Sequence, residues 1–427
     1  MLDITTIMGN TLLNFAYYYP LFMAYLWMIG AIYYYFRWER RSNPWNNPPQ
    51  LPSYPPVSVV VPCYNEAENI EETLFALTRL NYPDYEVIAV NDGSTDSTGA
   101  ILDAMAANHA RIRVVHLAQN QGKAMALRMG SMLSKSEFLV CIDGDALLDE
   151  HAVTWMMQHF LRSPRVAGVT GNPRIRTRST LLGKIQVGEF SAILGLIKRA
   201  QRIYGRVFTM SGVVSAFRKS ALHQVGYWSL DMLTEDIDIS WKLQMNYWDI
   251  RFEPHALCWI LMPETLRGLW KQRLRWAQGG NEVLLRHVRG LLNWKRRRMW
   301  PVYIEYFTSI LWGYAMLSVI LLYFTGLFVS MPTGYRVESI IPAWPGVVLG
   351  LTCMFQFAIS FALDLLYEHG LYRYYLQMIW YPLVFWLINM CTAVVALPRV
   401  LVKRRGVRAR WRTEDRGIHS DQQRRIS

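Results

Sequence analysis

Four stretches of this chain carry no Asp, Glu, Lys or Arg: Ile4 to Phe36, Tyr306 to Tyr335, Ser339 to Leu363 and Tyr374 to Pro398. Each exceeds the roughly 20 apolar residues needed to cross a bilayer, and buried helices of a water-soluble core seldom run so long. Taken singly, each of the last three has a core or interfacial helix as its alternative, because Pro342, Pro345 and Pro382 interrupt two of them. Taken together, the four make this a membrane protein.

The formal net charge of +13 on 427 residues would suggest nucleic acid if it were spread over a soluble domain. Its location argues otherwise. Arg37 to Arg41 contributes +2, Lys295 to Arg298 contributes +4, Arg399 to Ser427 contributes +7, and the remainder is neutral in sum. Each cluster adjoins a charge-free stretch, so the charge is topological and nucleic acid is not an expected partner. The first stretch has no basic region before it and no small-residue cleavage site after it, so it reads as a permanent anchor. Basic residues stay on the cytoplasmic side, which puts residue 1 outside and everything after Arg37 inside. Three further crossings would leave the tail outside, although it is the most basic part of the chain. The expectation is therefore that one C-terminal segment, Leu371 to Leu397 breaking at Pro382, folds back or lies in the interface, with the tail in the cytoplasm.

The expected organisation is a membrane anchor over 1–41, a Pro-rich linker over 42–56 and a cytoplasmic domain over 57–262. Amphipathic interfacial helices follow over 263–298, where Leu266, Leu269, Trp270, Leu274 and Ala277 recur at helical spacing. A C-terminal membrane region over 299–398 and a basic tail over 399–427 complete it. At 52% hydrophobic residues the chain can build a full core, which excludes a disordered scaffold. Five widely spaced cysteines imply neither a disulfide framework nor a zinc site.

From Val57 the pattern changes. Short β-branched runs at Val57 to Val61, Glu86 to Val90, Ile112 to Leu117, Phe138 to Ile142 and Val166 to Thr170 alternate with helical segments near Glu68 to Leu80, Ser97 to Asn108, Gly122 to Leu133 and Glu150 to Leu161. Such alternation predicts an α/β fold, a parallel sheet with crossover helices whose ligands collect beyond the carboxyl ends of the strands. The polar residues fall there: Pro62-Cys63-Tyr64-Asn65-Glu66 after the first run, Asn91 to Asp96 after the second, Asp143-Gly144-Asp145 after the fourth. No Gly-x-Gly-x-x-Gly and no P-loop is present, which leaves dinucleotide and P-loop readings with little support. Two carboxylates on a tight turn suit an octahedral divalent metal bridging to phosphate oxygens. With Asp92 in the neighbouring loop and Lys123 in Gln121-Gly122-Lys123, one edge would hold carboxylates for a metal and for base or ribose hydroxyls, and a cation for phosphate.

The ordered set PCYNE, NDGSTD, NQGKAMAL, DGDA, TED and QRLRW resembles the processive family 2 glycosyltransferases, over Val57 to about Asn281. Within that family the strings GNPRIRTRSTLLGKIQVGE, MLTEDIDISWKL and ALCWILMPETLRGLWKQRLRWAQGG are most similar to bacterial synthases of poly-β-1,6-N-acetyl-D-glucosamine. The resemblance implies a Rossmann-like, nucleotide-sugar-binding type A domain inserted between transmembrane helices, in the bacterial inner (cytoplasmic) membrane. It implies UDP-N-acetylglucosamine as donor, Mg²⁺ or Mn²⁺ as cofactor, a growing polysaccharide held beside membrane lipid, and a small membrane partner with control by cyclic di-GMP. Sugar identity and linkage come from the resemblance alone.

An inverting transfer needs a carboxylate to take the proton of the attacking hydroxyl, and a metal and cations to meet charge building on the diphosphate. Asp236 is the candidate base, on a helix for which Thr234 looks like the N-cap. The resemblance assigns Asp236 the same role and carries over the others by position. Asp145 would hold the metal, with Asp143 near the donor sugar or diphosphate. Asp92 would meet uracil or ribose, and Pro62, Tyr64 and Glu66 would close over the base. Lys123 and Arg275 would face the phosphates, and Gln272 and Trp276 would lie with Glu235 at the acceptor and channel entrance. Acceptor contact is assigned to Ser211 and Gly212, although Phe208 to Gly212 departs from the Cys-Gly-Ser type turn of related cellulose synthases. Arg174, Arg176 and Arg178 would bind phosphate or form a solvated basic stretch. The competing functions are a non-processive transferase acting on a lipid carrier and a transporter or scaffold that senses nucleotide sugar. The first sits poorly with the Gln-x-x-Arg-Trp motif, the second with base, metal turn and channel motif together.

Overall fold

The computed structural model describes residues 4–331, 335–337, 344–403 and 406–409. All five β-branched runs form strands: β1 (Val57–Cys63), β2 (Tyr85–Asn91), β3 (Ile112–His116), β4 (Phe138–Ile142) and β6 (Val166–Ile175). Helices α2 (Ile70–Thr78), α3 (Thr98–Asn108), α4 (Lys123–Leu133) and α5 (Ala152–Arg162) join them as the alternation predicts. Residues of β1, β2 and β4 are almost entirely buried, as expected for strands covered by helices on both faces. The sheet has eight strands in the order β3-β2-β1-β4-β7-β6-β8-β5, with β5 Leu147–Leu148, β7 Val214–Arg218 and β8 Asp249–Ile260.

The sheet is mixed, not parallel throughout as the alternation predicts: β3-β2-β1-β4 and the β6–β8 pair are parallel, while β5 runs antiparallel to β8, and β7 antiparallel to both β4 and β6. The reversal has a purpose in the geometry. Because Val214 pairs with Ile142, the segment entering β7 arrives at the carboxyl end of β4, beside Asp143. An all-parallel neighbour would deliver it to the opposite edge.

Among the described residues four helices are long and apolar enough to cross a membrane: Gly9–Glu39, Trp294–Gly326, Trp344–Asp364 and Pro382–Val402. They overlap α1 (Ile4–Tyr34), α11 (Trp300–Gly326), α12 (Trp344–Asp364) and α13 (Leu387–Val402). The break expected at Pro382 is present, but proline opens the last helical stretch instead of interrupting it, as its missing N–H allows at a first turn. The preceding Leu371–Tyr374 and Leu376–Trp380 are short 3₁₀ turns. Beyond α13 the chain meets the segment 263–298 and the α/β domain again: the Lys403 ammonium donates to Glu282 Oε1 at 2.6 Å and the Ala409 N–H to the Leu230 carbonyl at 3.0 Å. The basic tail from residue 410 onward, and Pro342, lie outside the described residues.

The α/β domain is tied to the apolar helices by ion pairs, those of Arg199 and Arg174 buried. Arg199 of α7 (Ile197–Tyr204) donates to Glu39 Oε1 at 2.8 Å and to Asp364 Oδ1 at 3.0 Å. Arg174 reaches Asp364 Oδ2 at 2.8 Å, Arg178 pairs with Glu368, and Arg176 pairs with Glu72 at 2.7 Å. Arg174 is therefore a core ion pair and not part of a solvated stretch, while the partly exposed Arg176 and Arg178 are each matched to a carboxylate that a linear reading places far away.

Candidate active site

The three loops at the carboxyl ends of β1, β2 and β3 are laced together by backbone donors. Asn65 and Glu66 N–H donate to Ser94 Oγ and Thr98 Oγ1 at 3.0 and 2.7 Å, Ala67 N–H donates to Asp96 Oδ2 at 3.1 Å, and Thr95 N–H donates to Asn65 Oδ1 at 2.8 Å. Asp92 is fully buried, and its two oxygens accept the N–H groups of Gln121 and Gly122 at 2.8 Å each. Burial outweighs those hydrogen bonds and raises its carboxyl above the usual range. Asp92 thus shapes the loop that starts α4, whose first residue is Lys123.

Lys123 is the centre of the charged cluster. Its ammonium lies 2.5 Å from Asp143 Oδ1 and 3.5 Å from Glu235 Oε1, and donates to the Gly212 carbonyl at 3.1 Å. Burial disfavours its charge, but Asp143 and Glu235 hold its pKa above the ordinary lysine value. Asp236 faces the same loop from α9 (Glu235–Met245), where its Oδ2 accepts the Gly212 N–H at 3.2 Å and its Oδ1 the Ile237 N–H at 2.9 Å. Burial, and next the neighbouring Glu235 charge, push Asp236 up to about 6. A carboxylate with that value is mostly ionised at neutral pH yet basic enough to accept a proton.

Lys123, Asp143, Asp145, Glu66, Ser211, Gly212, Glu235 and Asp236 share one cavity of about 1680 Å³ with Gln272, Arg275 and Trp276. The last three come from α10 (Leu266–Leu291), whose N-cap Thr265 accepts the Gly268 N–H. Gln272 is buried with its amide against the Met262 sulfur at 3.8 Å, and the Trp276 ring is braced by the Arg273 guanidinium 4.3 Å from its centroid. Of the expected apolar stripe on α10, Leu269 and Leu274 are buried and Leu266 is exposed. Pro62, Tyr64 and Asp92 stand in or beside the loops at this edge, outside the cavity lining. Among the described residues no three His, Cys, Asp or Glu side chains gather as a metal cage. Asp143 and Asp145, both half-buried on the turn after β4, instead offer the sparse carboxylate set suited to an ion that takes its other ligands from diphosphate and water.

Thr234 occupies the N-cap position of α9 but makes no capping hydrogen bond with its side chain. Its hydroxyl is buried against Gly279 of α10, where a Cβ would overlap Thr234 Oγ1 and Cγ2. The glycine lets α10 approach α9 closely enough to share the cavity. Gly279→Ala is expected to lower sugar incorporation at least ten-fold while changing UDP affinity less than two-fold, with Thr234→Ser partly restoring it. Wild-type incorporation by the single variant would show that this spacing is not needed.

Sequence reasoning missed several cavity groups. Glu189, which burial pushes up to about 7 despite an Arg273 partner at 2.5 Å, is one; Lys198, Gln201 and Glu305 are others. The available signal was an apolar run, Phe190 to Ile197, flanked by charge at both ends.

Residues 55–279 match the family model described as glycosyltransferase like family 2. A poly-beta-1,6-N-acetyl-D-glucosamine synthase of Staphylococcus epidermidis is 39% identical over 412 residues, covering 95% of this chain and 98% of that protein. A protein of the same name from Staphylococcus aureus is 40% identical with the same coverage. Among solved structures, a mannosyltransferase from Pyrobaculum calidifontis in complex with GDP-Man and Mn²⁺ superposes with a TM-score of 0.64 at 21% identity, covering 93% of this chain and 99% of that one.

Proposed function

The chain belongs to glycosyltransferase family 2, and on that premise we propose that it polymerises N-acetylglucosamine from UDP-N-acetylglucosamine into poly-β-1,6-N-acetyl-D-glucosamine and passes the chain through the membrane. The observation that carries the reading is the single cavity that joins Asp236, the Asp143-Gly144-Asp145 turn and the Gln272, Arg275, Trp276 face to residues of α1, α11 and α13 such as Trp27, Ser309 and Ala393. A transferase that adds one sugar to a water-soluble acceptor has no use for a cavity continuing among apolar helices, and one that acts on a lipid carrier would yield only single-sugar products.

Asp236 takes the proton from the attacking hydroxyl, and the Gly212 and Ile237 N–H groups fix its two oxygens while it does so. Lys123 and Arg275 face the diphosphate end of the cavity and meet the charge that builds as UDP leaves. Asp143 and Asp145 would hold Mg²⁺ or Mn²⁺ against the phosphates, where the ion supplies further charge neutralisation. Pro62, Tyr64, Glu66 and Asp92 frame the nucleotide end, and Trp276 offers a flat ring to the acceptor pyranose with Ser211 and Glu235 beside it.

The contacts of Lys403 with Glu282 and of Ala409 with Leu230 support a topology with three crossings and a fold-back between Asp364 and Lys403, which leaves the domain and the basic tail on the cytoplasmic side of the bacterial inner membrane. Four apolar helices make a thin wall for a polysaccharide path, and this favours a small membrane partner; control by cyclic di-GMP would then act through that partner.

Membranes containing the protein, incubated with labelled UDP-N-acetylglucosamine and Mg²⁺, are expected to yield polymer cut by a β-1,6-specific N-acetylglucosaminidase and resistant to chitinase. Single-sugar products, or none, would sink the proposal.

A further inference from the structure

The loop carrying Ser211 and Gly212 is held by lysines from two directions. Lys123 bonds the Gly212 carbonyl from the donor loops. From β6 and α7, Thr170 Oγ1 accepts the Ser211 N–H at 2.8 Å and the Lys198 ammonium at 3.2 Å. Lys198 is 3% exposed, lines the catalytic cavity, and has the Phe252 ring 6.0 Å away on another side. Unlike Lys123, it forms no ion pair among the described residues.

An ammonium has three N–H donors, and here one protein oxygen serves them. Burying such a cation without a counter-ion is costly unless its remaining donors are satisfied. Burial draws Lys198 down to about 8, with only the more distant Asp236 charge opposing. The group is therefore a donor facing the cavity close behind the acceptor loop, with no link to the donor loops. Gln201, one turn further along α7, lines the same cavity and donates to Glu305 at 3.2 Å, so the wall stays polar in the direction away from the nucleotide.

We propose that the Lys198 ammonium is a binding group for the acceptor sugar: it donates to a hydroxyl or acetamido oxygen of the residue whose primary hydroxyl is presented to Asp236, and so helps set which hydroxyl attacks. This rests on the reading of the site as a sugar polymerase.

The test uses the full-length protein in lipid nanodiscs with labelled UDP-N-acetylglucosamine and Mg²⁺. It measures the ratio of label in polymer to label released as free sugar, together with the Kd for UDP. In Lys198→Met the ratio is expected to fall at least ten-fold with the UDP Kd within two-fold of wild type. Lys198→Gln, which keeps two N–H donors, should give an intermediate ratio, and it carries the test if the methionine variant does not fold. A wild-type ratio in whichever variant folds, or a ratio that falls only in step with UDP affinity, overturns the inference. Absence of incorporation by the wild-type protein would instead overturn the functional reading on which it rests.

Discussion

Asp236→Asn is expected to abolish polymer formation, with a loss of about 10²–10⁴-fold in rate, while the Kd for UDP stays within two-fold. Asparagine keeps the shape of the side chain and an oxygen able to accept the Gly212 or Ile237 N–H, but it cannot take a proton. The Gly212 and Ile237 N–H groups hold the two Asp236 oxygens in place, so a neutral isostere leaves the loop geometry, and with it donor affinity, largely as it is. The same residue predicts the pH profile. Its carboxyl is raised to about 6 by burial and by Glu235, and the active form is the ionised one. Activity therefore rises through pH 6 and is lost below it, about ten-fold per pH unit at the acid end, whereas the residual rate of Asp236→Asn has no such limb. Incorporation assays from pH 5 to 8 on both proteins, with UDP binding measured alongside, check both points. A variant that keeps turnover but loses UDP affinity would move Asp236 from the acceptor side to the donor side.

The donor half of the fold is legible in the sequence for a physical reason. Its strands are buried on both faces, so they are short apolar runs, and the loops after them must carry the acidic and polar groups because the strands cannot. Val214–Arg218 and Asp249–Ile260 lack that signature. The long β8 contains Glu253-Pro254-His255, which reads as a turn. In the fold Glu253 is buried between His159 at 2.8 Å and His255 at 2.5 Å, and these partners hold its carboxyl below the usual range even though burial opposes it. The His159 partner lies 94 positions away along the chain and leaves no local trace. The same holds for Arg174, which looks like part of a basic surface stretch and is a core ion pair. Within the site, Asp236, Asp143 and the Gln272-x-x-Arg275-Trp276 group stand out because motif and spacing announce them. Lys198 does not, since its significance comes from a cavity that α7 lines together with α1, α9, α10 and α11.

The largest expected effect on stability lies away from the chemistry, at Arg199. Its guanidinium is completely buried and joins three parts of the chain: Glu39 at the end of the first membrane helix, Asp364 at the end of α12, and its own helix α7. The two carboxylates keep other partners, since Tyr367 O–H donates to Glu39 at 2.8 Å and Ser191 and Arg174 donate to Asp364 at 2.7 and 2.8 Å. None of these replaces the bidentate contact that Arg199 makes with Glu39, at 2.8 and 3.2 Å. Removing one partner of a buried pair leaves an uncompensated charge and costs about 3–5 kcal/mol, a large share of the about 5–15 kcal/mol that holds a typical protein folded. Arg199→Met is therefore expected to melt at least about 10 °C below wild type in detergent, or to fail to accumulate as monodisperse protein. Arg199→Lys should fall between, because an ammonium cannot span both carboxylates with a planar fork. Adding Glu39→Gln to Arg199→Met should recover much of the loss, since Asp364 keeps Arg174 as its counter-ion at 2.8 Å and the double variant leaves no carboxylate of the network unpaired. A single methionine variant that melts with wild type would show that the network contributes nothing to stability. If the double variant regains its melting temperature but not its activity, the network matters beyond folding. In that case its role is to hold α7, and with it Lys198 and Gln201, at the correct height against the acceptor loop.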